Sequence, residues 1–284
     1  MKSKDLAALV RPHFEANKPF VVHGLDEALS DLTRLPFLES MSTLLKLWPH
    51  SVMAHLPKIA DEADSIEVST AVAEKLFNNG MGLLFENAHR ISSELTSWLT
   101  AIRAELKLSK LTESRCLLYA TPQGKGTATH FDQNVNLVLQ VHGTKHWWLA
   151  ENTSVENPLS RHTLGFPIDG ELSNYLAAPM PSAMPANAKM ITLKPGSLLF
   201  VPRGTWHRTE AVSDALSLNF TYSAPTWLDL LSAALRGRLA QSKEWRETAL
   251  VGDSEKFDTL LAHLALDVPN WNASDILSVT EDNH

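Results

Sequence analysis

The chain has 284 residues, a formal net charge of −7 and an isoelectric point near 5.9. That length fits one large β-barrel with additions or two ordinary domains, and the acidic balance counts against a protein that grips phosphate backbones through bulk electrostatics. A single cysteine, Cys116, excludes an intrachain disulfide framework and a zinc site built from several thiolates, so any metal must be held by histidine and carboxylate.

The first hundred residues alternate helical and extended patterns. The opening MKSKDLAALVRPHF has too short an apolar run for a signal peptide, and no stretch of the chain approaches the roughly 18 uninterrupted apolar residues of a membrane span. A soluble, cytoplasmic protein is the expectation. A helix is expected from Lys4 to Glu15, an extended run at PFVVHG, a helix from Ser40 to Leu47 and another extended run at SVMAHLP. Ser69 or Thr70 can cap a helix that runs to Asn79 and ends at Gly80, and Ser92 or Ser93 can cap an amphipathic helix through Leu106. Residues 1–113 thus read as an α/β lead-in.

From Ser114 to Tyr222 the texture changes to short apolar or alternating runs: RCLLYA, VNLVLQVH, KHWWLA, MITL, SLLFVP and ALSLNFTY. Their spacing predicts an antiparallel sandwich or barrel over 114–224. Gly143 and Thr144 mark a hairpin, and Pro195 and Gly196 a second turn. Cys116, within CLLYA, is expected to be a buried structural residue. The stretch from Glu151 to Lys189 is long, proline-bearing and weakly periodic, which fits either a lid or an ordered surface excursion. Residues 225–284 return to helical spacing, with stripes at Leu228, Leu231, Leu235 and Leu239 and at Phe257, Leu260, Leu261 and Leu264. These stripes must bury on the barrel or in a subunit interface.

Chemistry concentrates in TATHFDQNVNLVLQVHGTK, Thr127 to Lys145. On a β-strand, residues i and i+2 share a face, so His130 and Asp132 can offer an imidazole nitrogen and a carboxylate oxygen to one metal ion. One later histidine would complete the two-histidine, one-carboxylate set typical of non-haem Fe(II) oxygenases. His142 and His146 flank the hairpin out of register with that pair, and Trp147, Trp148 and Trp206 read as core and lining residues. Asn136 and Gln140 share one strand parity while Leu137, Leu139 and Val141 take the other. The polar side faces either solvent or a barrel lumen.

His130, Asp132, Asn136, Gln140 and Lys145 together spell H-x-D-x3-N-x3-Q-x4-K, and Gly143, Lys145 and Trp147 add G-x-K-x-W. This block resembles the Jumonji C oxygenases, especially the asparaginyl hydroxylase that inhibits the hypoxia-inducible factor, and also the cupin-like ribosomal oxygenases. Downstream, GSLLFVPRGTWHRTEAVSDALSLNFTY is similar to their distal barrel strands, whose P-x-G-x-x-H segment falls on Pro202, Gly204 and His207. Their later asparagine falls on Asn219, at a shorter interval from the final histidine. The resemblance runs from Ser114 to Leu231 and is faint before it.

The resemblance implies a mainly β fold, with a double-stranded β-helix (cupin or jelly-roll) core, the α/β lead-in before it and C-terminal helices after it. It implies that His130, Asp132 and His207 hold Fe(II), leaving places for 2-oxoglutarate and O2. Lys145 would meet the distal carboxylate of 2-oxoglutarate with a hydroxyl from Thr127. Asn136, Gln140 and Asn219 would orient the cosubstrate or the groups behind it, and Tyr119 would set its hydroxyl nearby. The expected activity is a 2-oxoglutarate-dependent hydroxylation of a protein, peptide or amino-acid side chain. A tRNA-base hydroxylase, an N-methyl-lysine demethylase and a non-oxidative metal cupin, either an isomerase or an interaction module, are the alternatives. Nucleic acid is the less favoured partner, and relatives of this kind imply a homodimer through the C-terminal helices.

Overall fold

The apolar runs after residue 113 become strands whose two faces are both covered. The structure is a computed structural model that describes residues 2–56, 62, 64–272 and 274. Pro57, at the end of one predicted extended run, and the residues after 274 lie outside the described residues. The strands are β1 (Phe20–Val22), β2 (Val52–His55), β3 (Ser65–Val68), β4 (Leu83–Phe85), β5 (Glu113–Thr121), β6 (His130–Phe131), β7 (Val135–His142), β8 (Lys145–Ala150), β9 (His162–Thr163), β10 (Lys189–Leu193), β11 (Leu198–Val201), β12 (Trp206–Ala211) and β13 (Ala215–Ser223). The helices are α1 (Ser3–Glu15), α2 (Ser30–Thr33), α3 (Met41–Leu47), α4 (Thr70–Asn78), α5 (Ser93–Glu105), α6 (Gly170–Ser173), α7 (Trp227–Leu239) and α8 (Ser254–Asp267).

Two antiparallel sheets form. One has eight strands in the order β1, β11, β7, β13, β5, β4, β2, β3, and the other five in the order β10, β8, β12, β6, β9. This is the two-sheet core with flanking helices expected of a double-stranded β-helix. The lead-in does not make a layer of its own: β1 adds to one edge of the large sheet, and β4, β2 and β3 add to the other. Between the sheets, Val138, Trp147, Leu149, Leu193, Leu199 and Val201 pack together. The opposite parity of β7, Leu137 and Leu139, is buried as well.

Local chemistry explains the element ends. Ser40 and Ser92 accept hydrogen bonds from the backbone N–H groups of Thr43 and Leu95 at 3.1 and 3.2 Å, satisfying donors that the first helical turn leaves open. Gly143 takes φ +69° in the two-residue β7–β8 connection, which is not the expected hairpin. β7 pairs with β11 and β13 in the large sheet and β8 with β10 and β12 in the small one, so the chain crosses from one sheet to the other there. A Cβ there would also meet the backbone oxygen of Asp214 at 2.0 Å. α5 buries Leu95, Trp98, Leu99 and Ile102, the i, i+3, i+4, i+7 stripe, and each such side chain contributes roughly 1.5–3 kcal/mol. α5 packs on α1 and β5, and the Tyr222 hydroxyl donates to the Leu99 carbonyl at 3.0 Å. Cys116 lies fully buried beneath α5, where burial pushes its thiol pKa up.

The stretch from 151 to 189 is packed. β9 pairs with β6, and Val155, Leu172, Leu164, Tyr175 and Met180 join Phe131 and Trp206 in a second apolar cluster. The chain divides into two compact units, one running to Lys107 and resuming over Glu113–Ser223, the other combining Leu108–Thr112 with the chain from Ala224 onward. Within the second unit Arg238 grips the Asp267 carboxylate through two nitrogens, at 2.5 and 2.6 Å. Trp227, Leu228, Leu231, Phe257 and Leu266 are exposed there. Among the described residues no helix is long and apolar enough to cross a membrane.

Candidate metal centre

His130 lies on β6 and His207 on β12, and the register of those strands sets the two residues directly opposite each other, with ring centroids 4.1 Å apart. Asp132 follows β6 by one residue, where its backbone oxygen accepts from the N–H of Gly204 at 2.9 Å. One candidate ligand atom from each of the three residues falls within 4.8 Å of the others. Asp132 Oδ1 is 3.9 Å from His130 Nε2, and Oδ2 is 3.6 Å from His207 Nε2.

Hydrogen bonding on the far side of each ring fixes what these atoms offer. Nδ1 of His130 contacts the Ala128 carbonyl at 2.7 Å, and Nδ1 of His207 contacts the Thr205 carbonyl at 2.9 Å. A carbonyl only accepts, so Nδ1 carries the proton in each ring, and the Nε2 lone pair of a neutral ring points at the carboxylate. Burial lowers the pKa of His207, which keeps that ring neutral at pH 7. Two imidazole Nε2 atoms and a carboxylate then face one point, an arrangement that a divalent cation satisfies. The donor set suits Fe(II).

The pocket beside this cluster is lined by Tyr119, Thr127, His130, Asp132, Asn136, Lys145, His207 and Asn219, which brings eight of the nine residues predicted from sequence into one place. Lys145, inward-facing on β8, is 2% exposed, and its Nζ donates to Thr121 Oγ1 at 2.9 Å. Burial lowers its pKa to about 8. A buried ammonium held by one hydroxyl suits an anionic group. Two further buried atoms on the pocket wall, Trp147 Nε1 and Asn219 Oδ1, have no hydrogen-bond partner among the described residues. A polar ligand fits that wall.

Several placements differ from expectation. Thr121, not among the expected residues, supplies the hydroxyl at Lys145, while Thr127 lines the pocket with Lys145 and shares a hydrogen bond with Thr209 at 3.0 Å. Gln140, fully buried, stands apart from the pocket. A bulge between Leu216 and Ser217 disturbs the β13–β7 ladder, and Gln140 Nε2 donates to the carbonyls of His142 and Leu216 at 2.7 and 3.3 Å while its Oε1 accepts from Ser217 Oγ at 2.9 Å. Its amide is spent on repairing the sheet. Tyr119 directs its hydroxyl to Glu62 at 2.6 Å, and burial raises its pKa. Asn136 donates to Asp132 Oδ2 at 3.0 Å and so braces the carboxylate.

Sequence reasoning missed Glu62, Arg161, Thr209 and Ser217 on the pocket wall, and Thr121 as the partner of the Lys145 ammonium. Strand parity could have found Thr121, two residues beyond Tyr119 on β5. Arg161 lies in the long 151–189 stretch, where no periodicity marks a facing direction. His142 and His146 contact Leu38 and Thr192, away from the triad.

Residues 94–230 match the family model described as the JmjC domain. Over 241 residues the chain is 32% identical to the uncharacterized protein YxbC of Bacillus subtilis, a match covering 82% of this chain and 72% of that one. The chain belongs to the JmjC-domain family. It is 27% identical over 185 residues to ribosomal oxygenase 1 of Gallus gallus, covering 62% of this chain and 28% of that protein. It is 32% identical over 126 residues to the bifunctional lysine-specific demethylase and histidyl-hydroxylase NO66 of Culex quinquefasciatus, covering 43% and 18%. The chain therefore spans less than a third of either of those two relatives. In fold it is similar to YcfD, a ribosomal oxygenase from Escherichia coli solved with cobalt and succinic acid, with a TM-score of 0.56, 15% identity and coverage of 93% of this chain and 68% of that one. The cofactor set of this family, Fe(II) with 2-oxoglutarate and O2, is the one that the triad and its pocket fit.

Proposed function

We propose that this JmjC-family oxygenase hydroxylates a side chain of a protein or peptide. The observation that carries the reading is the pairing, in one pocket, of the His130–Asp132–His207 cluster with the buried ammonium of Lys145. Bound by those three residues, Fe(II) supplies the place where O2 is activated as 2-oxoglutarate is decarboxylated. In balance, substrate C–H, O2 and 2-oxoglutarate give C–OH, succinate and CO2.

The protein's own work is positioning. Lys145, oriented by Thr121, receives the distal carboxylate of 2-oxoglutarate, in a site too buried for water to screen the pair. Trp147 stacks beside His207, with ring centroids 5.7 Å apart and planes 19° from parallel, and limits the ring's freedom to turn. Asn136 holds Asp132 from the barrel side. A protein substrate is supported by the relatives named ribosomal oxygenase and histidyl-hydroxylase. A homodimer is part of the proposal, supported by the exposed Trp227, Leu228, Leu231 and Phe257 on α7 and α8.

The test is aerobic incubation of the Fe(II)-loaded chain with 2-oxoglutarate and candidate ribosomal proteins. Succinate production matched by the gain of one oxygen atom on a peptide is the expected result. Formaldehyde release with loss of a methyl group would replace hydroxylation by demethylation.

A further inference from the structure

β9 is an edge strand of the five-stranded sheet, and it pairs antiparallel with β6 in the register His130↔Thr163 and Phe131↔His162. The next step of that register sets Arg161 opposite Asp132. Arg161 Nε donates to Asp132 Oδ1 at 3.1 Å, and a second guanidinium nitrogen donates to Thr163 Oγ1 at 2.6 Å. Asn136 holds Oδ2 from the barrel side. The carboxylate is thus clamped at both oxygens, once from the barrel and once from the 151–189 stretch. Next along, the Leu164 N–H donates to the Thr129 carbonyl at 2.9 Å.

We propose that Arg161 is a positioning residue for the metal-binding carboxylate, and that through it metal affinity depends on how the 151–189 stretch is seated. The proposal rests on the assignment of His130, Asp132 and His207 as metal ligands. Two effects of Arg161 oppose each other. As a cation near the site it repels a metal ion, so a purely electrostatic role makes its removal tighten metal binding. As a planar N–H donor it stops the carboxylate from turning, so a positioning role makes its removal weaken binding. The bond runs through Nε of a planar guanidinium, with Thr163 fixing the same plane, and this geometry favours orientation over charge. Partners that orient metal ligands typically contribute about 10–100-fold in metal affinity.

The experiment uses Co(II) as the probe, titrated into the metal-free chain and followed by its visible absorption. R161A is expected to lose about 10–100-fold in Co(II) affinity and to shift the absorption band. R161Q places its amide nitrogen as many bonds from Cα as Nε stands in arginine, so it keeps the donor without the charge and is expected to restore most of the loss. In the wild-type chain, Co(II) is expected to slow hydrogen exchange at the Leu164 amide, a readout that needs no variant to fold. Co(II) binding by R161A as tight as wild type or tighter, R161Q no better than R161A, or exchange at Leu164 indifferent to Co(II) each overturns the proposal. A wild-type chain that binds no Co(II) overturns the metal assignment and the proposal with it. Absence of 2-oxoglutarate turnover alongside normal Co(II) results would count against the oxygenase reading alone.

Discussion

Replacing Lys145 with methionine, K145M, should stabilise the chain and abolish its response to 2-oxoglutarate. Lys145 is 2% exposed, and burial lowers its pKa from 10.5 to about 8. At about 1.4 kcal/mol per pH unit, that drop corresponds to about 3 kcal/mol held against the folded state at neutral pH. Methionine keeps most of the side-chain length without the charge. Losing the bond to Thr121 takes back about 1 kcal/mol, leaving a net gain of about 2 kcal/mol, which is about 4–8 °C in Tm for a unit of this size. The assay is thermal unfolding of both proteins, with and without Co(II) plus 2-oxoglutarate at a hundred times its Kd. There the wild type should gain about 2.7 kcal/mol and K145M nothing from the 2-oxoglutarate, so the ranking reverses. K145M melting below wild type without ligand refutes the isolated-ammonium argument. A full 2-oxoglutarate shift in K145M would remove Lys145 from the cosubstrate site.

The same lysine sets a pH dependence. Its folded pKa of about 8 lies below the unfolded value, so the folded chain binds fewer protons between the two, and without 2-oxoglutarate stability rises with pH across that window. Over the same window 2-oxoglutarate affinity should fall about tenfold per pH unit, because only the ammonium attracts the carboxylate; calorimetric titrations that stay flat up to pH 9.5 would contradict this. Gln140→Leu should cost about 1–3 kcal/mol in a urea melt, by stranding the carbonyls of His142 and Leu216, and leave 2-oxoglutarate affinity unchanged. Tenfold weaker binding in that variant would return Gln140 to the pocket. Leu231→Glu combined with Phe257→Glu should give a monomer by light scattering where the wild type is a dimer, and a monomeric wild type at micromolar concentration removes the proposed interface.

The parts of the fold legible in sequence are those governed by short-range rules. Ser40 and Ser92 cap helices where a hydroxyl before an amphipathic run predicts it, and Gly143 turns the chain with a positive φ, although the strands it joins pair in different sheets, which no local signal reveals. The strands after residue 113 follow from alternation between Gly and Pro punctuation. β12 carries a weaker signal, because W-H-R-T-E-A mixes buried Trp206, His207, Thr209 and Ala211 with Arg208 and Glu210 and no long apolar run marks it. β6 and β9, two residues each, carry no period at all, yet they hold His130 and bring Arg161 to Asp132. Their pairing depends on the apolar cluster of Phe131, Leu172, Tyr175 and Trp206, a tertiary effect without a local signal.

Gln140 shows where parity stops being a guide. Parity puts Asn136, Val138 and Gln140 on one face, but it does not say which polar atom spends itself on the sheet and which faces a ligand. The bulge at Leu216 and Ser217 decides that for Gln140. For the two asparagines, the carboxylate decides. Asp132 can only accept, so Asn136 must turn its Nδ2 toward it, which leaves Asn136 Oδ1 to accept from Asn219 Nδ2 at 3.1 Å and from Thr221 Oγ1 at 2.8 Å. Asn219 Oδ1 is then the end of the relay, buried on the pocket wall with no partner among the described residues. The metal-binding carboxylate therefore sets the polarity of an amide two hydrogen bonds away, and the pocket presents an acceptor there as well as the donors of Lys145 and Trp147. A dicarboxylate alone satisfies only the donors; the acceptor calls for an N–H or O–H, which a hydrated cosubstrate or an amide-bearing side chain supplies.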